Sequence, residues 1–279
     1  MNSVLVTGAS TGIGRATALR LDAGGWRVFA GVRKQEDAET LRSQASERLA
    51  PVMLDVADSE AISSAAELLT AELGDAGLSG LVNNAGISLP SPLETMPIED
   101  FRRQIEINLS AQVEVTQAML PLIREARGRI VFISSIGGRI AFPFTGAYHA
   151  AKFGIEAVGD VFRRELRGAG ISVSIVEPGS IATDIWDRGE RASDDIGGRS
   201  PQRDALYGDA IEKYRKTVRG VADRGIPPEK AARVIEHALS ARRPHTRYLV
   251  GRDAKFQARA KYLIPTRIFD RILARATGL

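Results

Sequence analysis

Seven short apolar runs recur along the chain, at Ser3–Thr7, Arg27–Val32, Pro51–Asp55, Gly80–Asn83, Arg129–Ser134, Ser172–Glu177 and Thr246–Val250. They hold too few polar positions for strands with one solvated face and read as strands buried on both sides. Between them, residues near 13–24, 34–47, 58–73, 99–125, 146–168 and 228–241 repeat apolar positions at helical spacing. This alternation predicts an α/β fold, a parallel sheet of about seven strands with helices on both faces. No internal repeat, low-complexity tract or Pro/Gly linker divides the chain. Residues 1–250 are therefore expected to form a single doubly wound domain. One stretch breaks the rhythm: residues 184–225 are rich in charge and glycine, with weak helical periodicity near 200–219. An insertion of that length in a compact domain is usually functional or mobile, and a lid over a substrate is expected here.

Composition narrows the function classes. The 279 residues are 44% hydrophobic and 26% charged and include no cysteine. That balance excludes disordered and fibrous classes. Without cysteine there is no disulfide framework, thiol nucleophile or thiolate zinc site, and no metal is expected. A reducing, cytoplasmic location fits. No apolar run approaches the ~18–20 residues of a membrane span, and the strand beginning near Val4 leaves no signal peptide to be expected. The net charge of +4 is concentrated in residues 251–279, where seven basic residues face only Asp253 and Asp270. The body is thus nearly neutral, which argues against a nucleic-acid partner. Beyond Pro265, Arg267, Arg271 and Arg275 recur every four residues beside Ile268/Ile272 and Phe269/Leu273. This basic amphipathic extension reads either as a helix packed on the body or a sister subunit, or as a peripheral membrane contact.

The first strand runs into Thr7-Gly8-Ala9-Ser10-Thr11-Gly12-Ile13-Gly14 and then a helix. Glycines permit a tight turn and close backbone approach to phosphate, and a helix N-terminus offers free N–H groups with a partial positive charge. A dinucleotide site follows, beyond the carboxyl ends of the strands. The second strand ends Val32-Arg33-Lys34 with no carboxylate to take a ribose 2′-hydroxyl. An arginine there suits a 2′-phosphate, and Ser10 and Thr11 add hydroxyl donors, so NADP(H) is preferred over NAD(H).

Tyr148 and Lys152 lie four apart on a predicted helix and share a face. Ser135 lies just past the fifth predicted strand, and Asn108 within the long helix before it. Hydride delivery to a carbonyl leaves an alkoxide that needs a proton. A phenol of ordinary pKa near ~10 gives one poorly, so the Lys152 ammonium and the positive charge of an oxidised nicotinamide are both expected to lower the Tyr148 pKa. Tyr148 then serves as acid or base, while the Ser135 hydroxyl steadies the substrate oxygen.

The T-G-x-x-x-G-x-G turn, Asn83-Asn84-Ala85-Gly86, and the ordered Asn108, Ser135 and Y-x-x-x-K set resemble the short-chain dehydrogenase/reductase family over about residues 3–183. The resemblance implies a Rossmann-type fold and an NAD(P)-dependent oxidoreductase of alcohols. It places Val32 where NAD-dependent members carry Asp, and Asp55-Val56 against adenine. It gives Asn84, Ala85 and Gly86 a bracing turn beside the cofactor, and Lys152 the nicotinamide ribose. Asn108 would hold a water leading to Lys152. The segment Pro178, Gly179, Ile181 and Thr183 would grip the carboxamide. It also implies a homodimer or homotetramer through helices 99–125 and 146–168.

Three segments are expected to line a substrate pocket: Ser88–Leu93, Ile136–Gly146 and the insertion from Asp184 onward. Leu89, Ile140, Phe142, Phe144, Ile185 and Trp186 would either make it apolar or pack the lid on the body. His149, His237 and His245 read as structural. Arg33 after Val32, with Glu177-Pro178-Gly179, is most similar to the branch holding 17β-hydroxysteroid and retinol dehydrogenases. The expected function is reversible oxidation of an alcohol on an apolar substrate such as a steroid, retinoid or similar lipid. A 3-oxoacyl thioester reductase, a non-catalytic dinucleotide-sensing regulator and a nucleotide-sugar epimerase are the alternatives.

Overall fold

The computed structural model describes the backbone of all 279 residues and every side chain except those of Arg199 and Pro201. Seven strands are present: β1 (Ser3–Val6), β2 (Arg27–Val32), β3 (Leu49–Met53), β4 (Gly80–Asn83), β5 (Arg129–Ile133), β6 (Ser172–Pro178) and β7 (Arg247–Val250). They pair in the order β3-β2-β1-β4-β5-β6-β7, all parallel. The helices are α1 (Gly12–Ala23), α2 (Gln35–Arg42), α3 (Ser59–Leu73), α4 (Ile98–Ile105), α5 (Ala111–Glu125), α6 (Gly146–Glu165), α7 (Ile185–Arg199), α8 (Pro201–Ala222), α9 (Pro228–Ser240), α10 (Arg252–Leu263) and α11 (Thr266–Thr277).

Successive strand residues point to opposite faces, and the core divides accordingly. Val4, Val6, Val28, Ala30, Val82 and Val131 pack under α1, α2 and α9. Leu5, Phe29, Leu81, Ile130 and Phe132 pack under α3, α5 and α6. The doubly wound parallel sheet expected from sequence is therefore present. Strand order reverses between β1 and β4, which opens a crevice at the carboxyl end of the sheet.

Four expectations change. Full burial holds for the central strands but not the rims: β3 alternates buried and exposed positions and β7 is only partly covered, because each has one neighbour. The third strand lies two residues earlier than expected, so Asp55 falls in the loop beyond it. The helix expected over 99–125 is interrupted by a wider π-helical turn at Glu106–Ser110, which carries Asn108. Residues 184–225 form two full helices, α7 and α8, where the sequence shows only weak helical periodicity near 200–219. Tertiary packing overrides propensity there: Phe144 packs with Ala210, Ile211, Tyr207 and Tyr214 of α8, and α11 lies against the same helix.

Within the tail, α11 presents Leu273, Ala276 and Thr277 to a cavity described below, and Phe269 packs near Ile140 and Ala258. The Lys213 ammonium of α8 donates to the Arg275 carbonyl at 2.7 Å. One face of the extension is therefore packed on the body. Its other side leaves Phe256, Tyr262 and Leu263 at least 74% exposed.

Candidate active site

The loop from β1 to α1 is shaped by what it lacks. Gly8 and Gly12 have φ of +63° and +56°, a region that disfavours side chains. A Cβ on Gly14 would lie 2.2 Å from the Gly8 carbonyl oxygen and 2.4 Å from Asn84 Nδ2. Gly14 thus serves close packing and does not itself face the cavity. Asn84 Nδ2 donates to the Thr7 and Gly8 carbonyls at 2.9 and 3.1 Å. The Thr7 hydroxyl oxygen accepts from the Asn84 and Ala85 amides, both at 3.0 Å. The turns after β1 and β4 are locked together at the reversal of strand order.

They open on one cavity of about 990 Å³. Gly8, Ser10, Thr11, Gly12 and Ile13 line one wall; Arg33, Asp55 and Val56 line another; and Asn84, Ala85 and Gly86 line its floor. Arg33 is exposed at the rim. The side-chain-free turn leaves backbone amides bare, and a cationic rim follows β2, so these residues fit a phosphorylated dinucleotide. Sequence reading missed Arg188 of α7, which donates to the Thr11 hydroxyl at 3.3 Å and pairs with Asp184 at 3.6 Å. Only the folding of 184–225 brings it to the phosphate turn.

Ser135, Tyr148 and Lys152 border the same cavity. Ser135 ends the extended backbone after β5, and its hydroxyl oxygen accepts from the Gly137 amide at 3.0 Å. The Tyr148 and Ser135 side chains are hydrogen-bonded. Lys152, one turn along α6, is buried and donates to the Ile133 carbonyl at 2.7 Å. Its ammonium lies 5.6 Å from the centre of the Tyr148 ring. Burial lowers the Lys152 pKa to about 8, against the opposing charge of Glu156. The Tyr148 phenol is pushed above its ordinary 10, because burial outweighs the Ser135 hydrogen bond. The expected downward shift is thus not met in the free protein: burial disfavours the phenolate, and Lys152, its own pKa lowered to about 8, has lost its charge before the phenol ionises.

Asn108 is fully buried. Its Oδ1 accepts from the Ile87 amide and its Nδ2 donates to the Ile87 carbonyl, both at 2.8 Å. The side chain therefore clamps the segment after β4. His149 is structural, as expected. Its Nδ1 meets the Gly137 carbonyl at 2.8 Å and its Nε2 meets the Thr145 hydroxyl at 2.9 Å. A carbonyl can only accept, so Nδ1 carries the proton, and burial lowers the ring's pKa and favours this neutral form.

Pro178, Gly179, Ile181 and Thr183 follow β6 along the cavity. Asp253 of α10, which sequence reading missed, accepts from the Ser180 amide at 2.7 Å. A Cβ on Gly179 would come within 2.3 Å of that carboxylate. The expected pocket residues divide. Leu89, Phe142, Ile185 and Trp186 line the cavity. Ile140 instead packs with Ala254 and Ala258, and Phe144 with α8. For Phe144 the lid-packing alternative holds, whereas Ile140 is covered by α10. The Trp186 indole donates to the Ile181 carbonyl at 2.7 Å and ties the start of α7 to this segment.

The short chain dehydrogenase family model matches residues 2–193. The chain belongs to the short-chain dehydrogenase/reductase family. Among its relatives, 17-beta-hydroxysteroid dehydrogenase type 6 of Homo sapiens is 39% identical, across 98% of this chain and 88% of its own length. Retinol dehydrogenase 16 of Homo sapiens is 38% identical, across 97% and 87%. NADPH-dependent 3-dehydrocapnine reductase of Ornithobacterium rhinotracheale is 36% identical, across 98% and 96%. A short-chain dehydrogenase from Streptomyces avermitilis has a similar structure, with TM-score 0.76, 28% identity and coverage of 99% and 95%. The protein is thus an oxidoreductase of CH–OH groups, related to hydroxysteroid and retinol dehydrogenases.

Burial makes a prediction about the phenol. In a spectrophotometric titration of tyrosinate, the difference between wild type and Tyr148→Phe should show one group ionising above pH 10 in the free protein. A midpoint below 10 would mean that burial does not govern the phenol's ionisation.

Proposed function

We propose that the protein interconverts an alcohol and its carbonyl on an apolar substrate, such as a steroid, retinoid or similar lipid, with NADP(H) preferred over NAD(H). One observation carries this reading: the phosphate turn, Arg33, the Ser135–Tyr148–Lys152 set and the apolar wall of Leu89, Phe142, Ile185 and Trp186 all border one cavity. The relatives named for steroid, retinol and 3-dehydrocapnine chemistry support it. A regulator that only senses dinucleotide would not need the three reacting side chains together.

The roles follow from position and chemistry. Backbone amides of Gly12 and Ile13, at the start of α1, hold the pyrophosphate. The Arg33 guanidinium and the Ser10 and Thr11 hydroxyls take the 2′-phosphate. Asp55 and Val56 flank adenine. Lys152 holds the nicotinamide ribose, and Ile181 and Thr183 hold the carboxamide. The nicotinamide, when bound, supplies or accepts the hydride. In reduction, the Tyr148 hydroxyl donates its proton to the developing alkoxide, which the Ser135 hydroxyl steadies; in oxidation, Tyr148 takes the proton back. The raised Tyr148 pKa keeps the phenol protonated at neutral pH, which favours its service as the acid. The helices α7 and α8 act as the lid that excludes water.

Tyr148→Phe should lower kcat by about 10²–10⁴-fold with cofactor affinity nearly unchanged, since only the proton-transferring oxygen is lost. Arg33→Ala should weaken NADPH about ten- to a hundredfold and NADH little in fluorescence titrations. Equal losses for the two cofactors would remove Arg33 from 2′-phosphate recognition.

The exposed side of the tail supports a second partner, an anionic lipid surface. Phe256, Tyr262 and Leu263 stand in water beside the basic residues of α10 and α11, while Leu273 and Ala276 of α11 wall the cavity. Seating that side on lipid would bring the cavity mouth to a dissolved substrate. The full-length protein should sediment with anionic but not zwitterionic vesicles, more weakly as salt rises. Absence of binding at low salt leaves α10 and α11 only their packing role.

A further inference from the structure

Three arginines of α7 and α8 border the cavity, and they differ in what they hold. Arg219 of α8 is bonded to Glu190 of α7, and Arg215 to Asp194, so both tie one lid helix to the other. Arg188 of α7 crosses to the body instead. Its Nη2 donates to the Thr11 hydroxyl oxygen at 3.3 Å and lies 3.6 Å from Asp184 Oδ2, at the N-cap of its own helix. Its Nε and Nη1 make no hydrogen bond or ion pair among the described residues. The same stretch meets the β1–α1 turn a second time: a Cβ on Gly12 would lie 3.0 Å from Thr183 Cγ2.

Both contacts of Arg188 are weak. Its bond to Thr11 is longer than the usual range of about 2.7–3.2 Å. Its partner Asp184 is as exposed as Arg188 itself, at 58% and 50%, and an ion pair in water contributes little. Nearby Glu190 is already held by Arg219. A planar guanidinium with free donors makes its strongest contacts with an oxyanion that it can grip through two parallel bonds. Thr11, beside which it stands, belongs to the turn whose bare amides suit a phosphate, and both residues line the one cavity.

We propose that Arg188 is a phosphate ligand carried on the lid. With a dinucleotide in the cavity, its guanidinium bonds a cofactor phosphate beside Thr11 and fastens α7 across the bound cofactor. This rests on the reading of the β1–α1 turn as a phosphate site. Two groups of NADP(H) offer that chemistry, the diphosphate and the 2′-phosphate. Arg33 follows β2 and belongs to the body, so its grip on the cofactor leaves the lid untouched. Arg188 joins the cofactor to the lid itself. Ile185 and Trp186, in the first turn of the same helix, wall the substrate side. The contact therefore completes the apolar wall once the cofactor is in place, and the cofactor binds before the substrate.

The test combines calorimetric titration of the full chain with NADPH and NADH and hydrogen–deuterium exchange of the backbone amides of residues 185–199. Arg188→Gln should weaken binding about ten- to a hundredfold, the worth of one charge-assisted contact. Equal loss for the two cofactors assigns the diphosphate, and loss confined to NADPH assigns the 2′-phosphate; either supports the proposal. Saturating NADPH should slow exchange across 185–199 in the wild type and slow it less in Arg188→Gln saturated as fully. Arg188→Lys keeps the charge without the fork and should fall between the two. Unchanged affinity for both cofactors in Arg188→Gln overturns the proposal. Equal losses in Arg188→Lys and Arg188→Gln, with faster exchange of α7 in the free variants, also overturn it, because they mark a role in helix stability alone. A wild type that binds neither cofactor would overturn the phosphate reading of the turn, and the proposal with it.

Discussion

Everything in the site depends on the joint between the turns that follow β1 and β4. Four hydrogen bonds, donated by Asn84 and Ala85 and accepted by Thr7 and Gly8, cross the point where strand order reverses, and Gly14 seats against the Gly8 carbonyl with no room for one more carbon. This joint fixes the crevice at a constant width. On one side it leaves backbone amides facing outward; on the other it begins the segment that Asn108 clamps through Ile87. Loosening it would move the phosphate turn and the reacting side chains relative to each other.

The second constraint is electrostatic. Lys152 is buried and Tyr148 is partly buried at the cavity wall, and each resists its charged form. A neutral phenol beside a buried ammonium is a proton donor held ready, at the cost of keeping a cation out of water.

Much of this was legible in the sequence, for reasons that can be stated. Buried parallel strands are short and apolar, so β2 and β4 were bounded to the residue. Tyr148, Lys152 and Ser135 come together because a helix turn and a strand end fix their spacing. The rims β3 and β7 were misjudged, since burial depends on neighbours that periodicity does not reveal. Helix α8 was signalled only weakly, by the periodicity near 200–219, and α7 not at all, because their glycines oppose helix locally; the contacts of α8 with Phe144, α7 and α11 decide the matter. Arg188 and Asp253 reach the site from far along the chain, and no local pattern marks them.

The central claim is that one cavity brings a dinucleotide and an apolar carbonyl to Tyr148. It is tested most directly by incubating the protein with NADPH carrying deuterium at one or the other C4 position, together with a steroid ketone, retinal or a long-chain ketone. The account predicts an alcohol product one mass unit heavier from one of the two labelled cofactors and unlabelled from the other. Tight NADPH binding with no deuterium reaching any of the three carbonyls would contradict it.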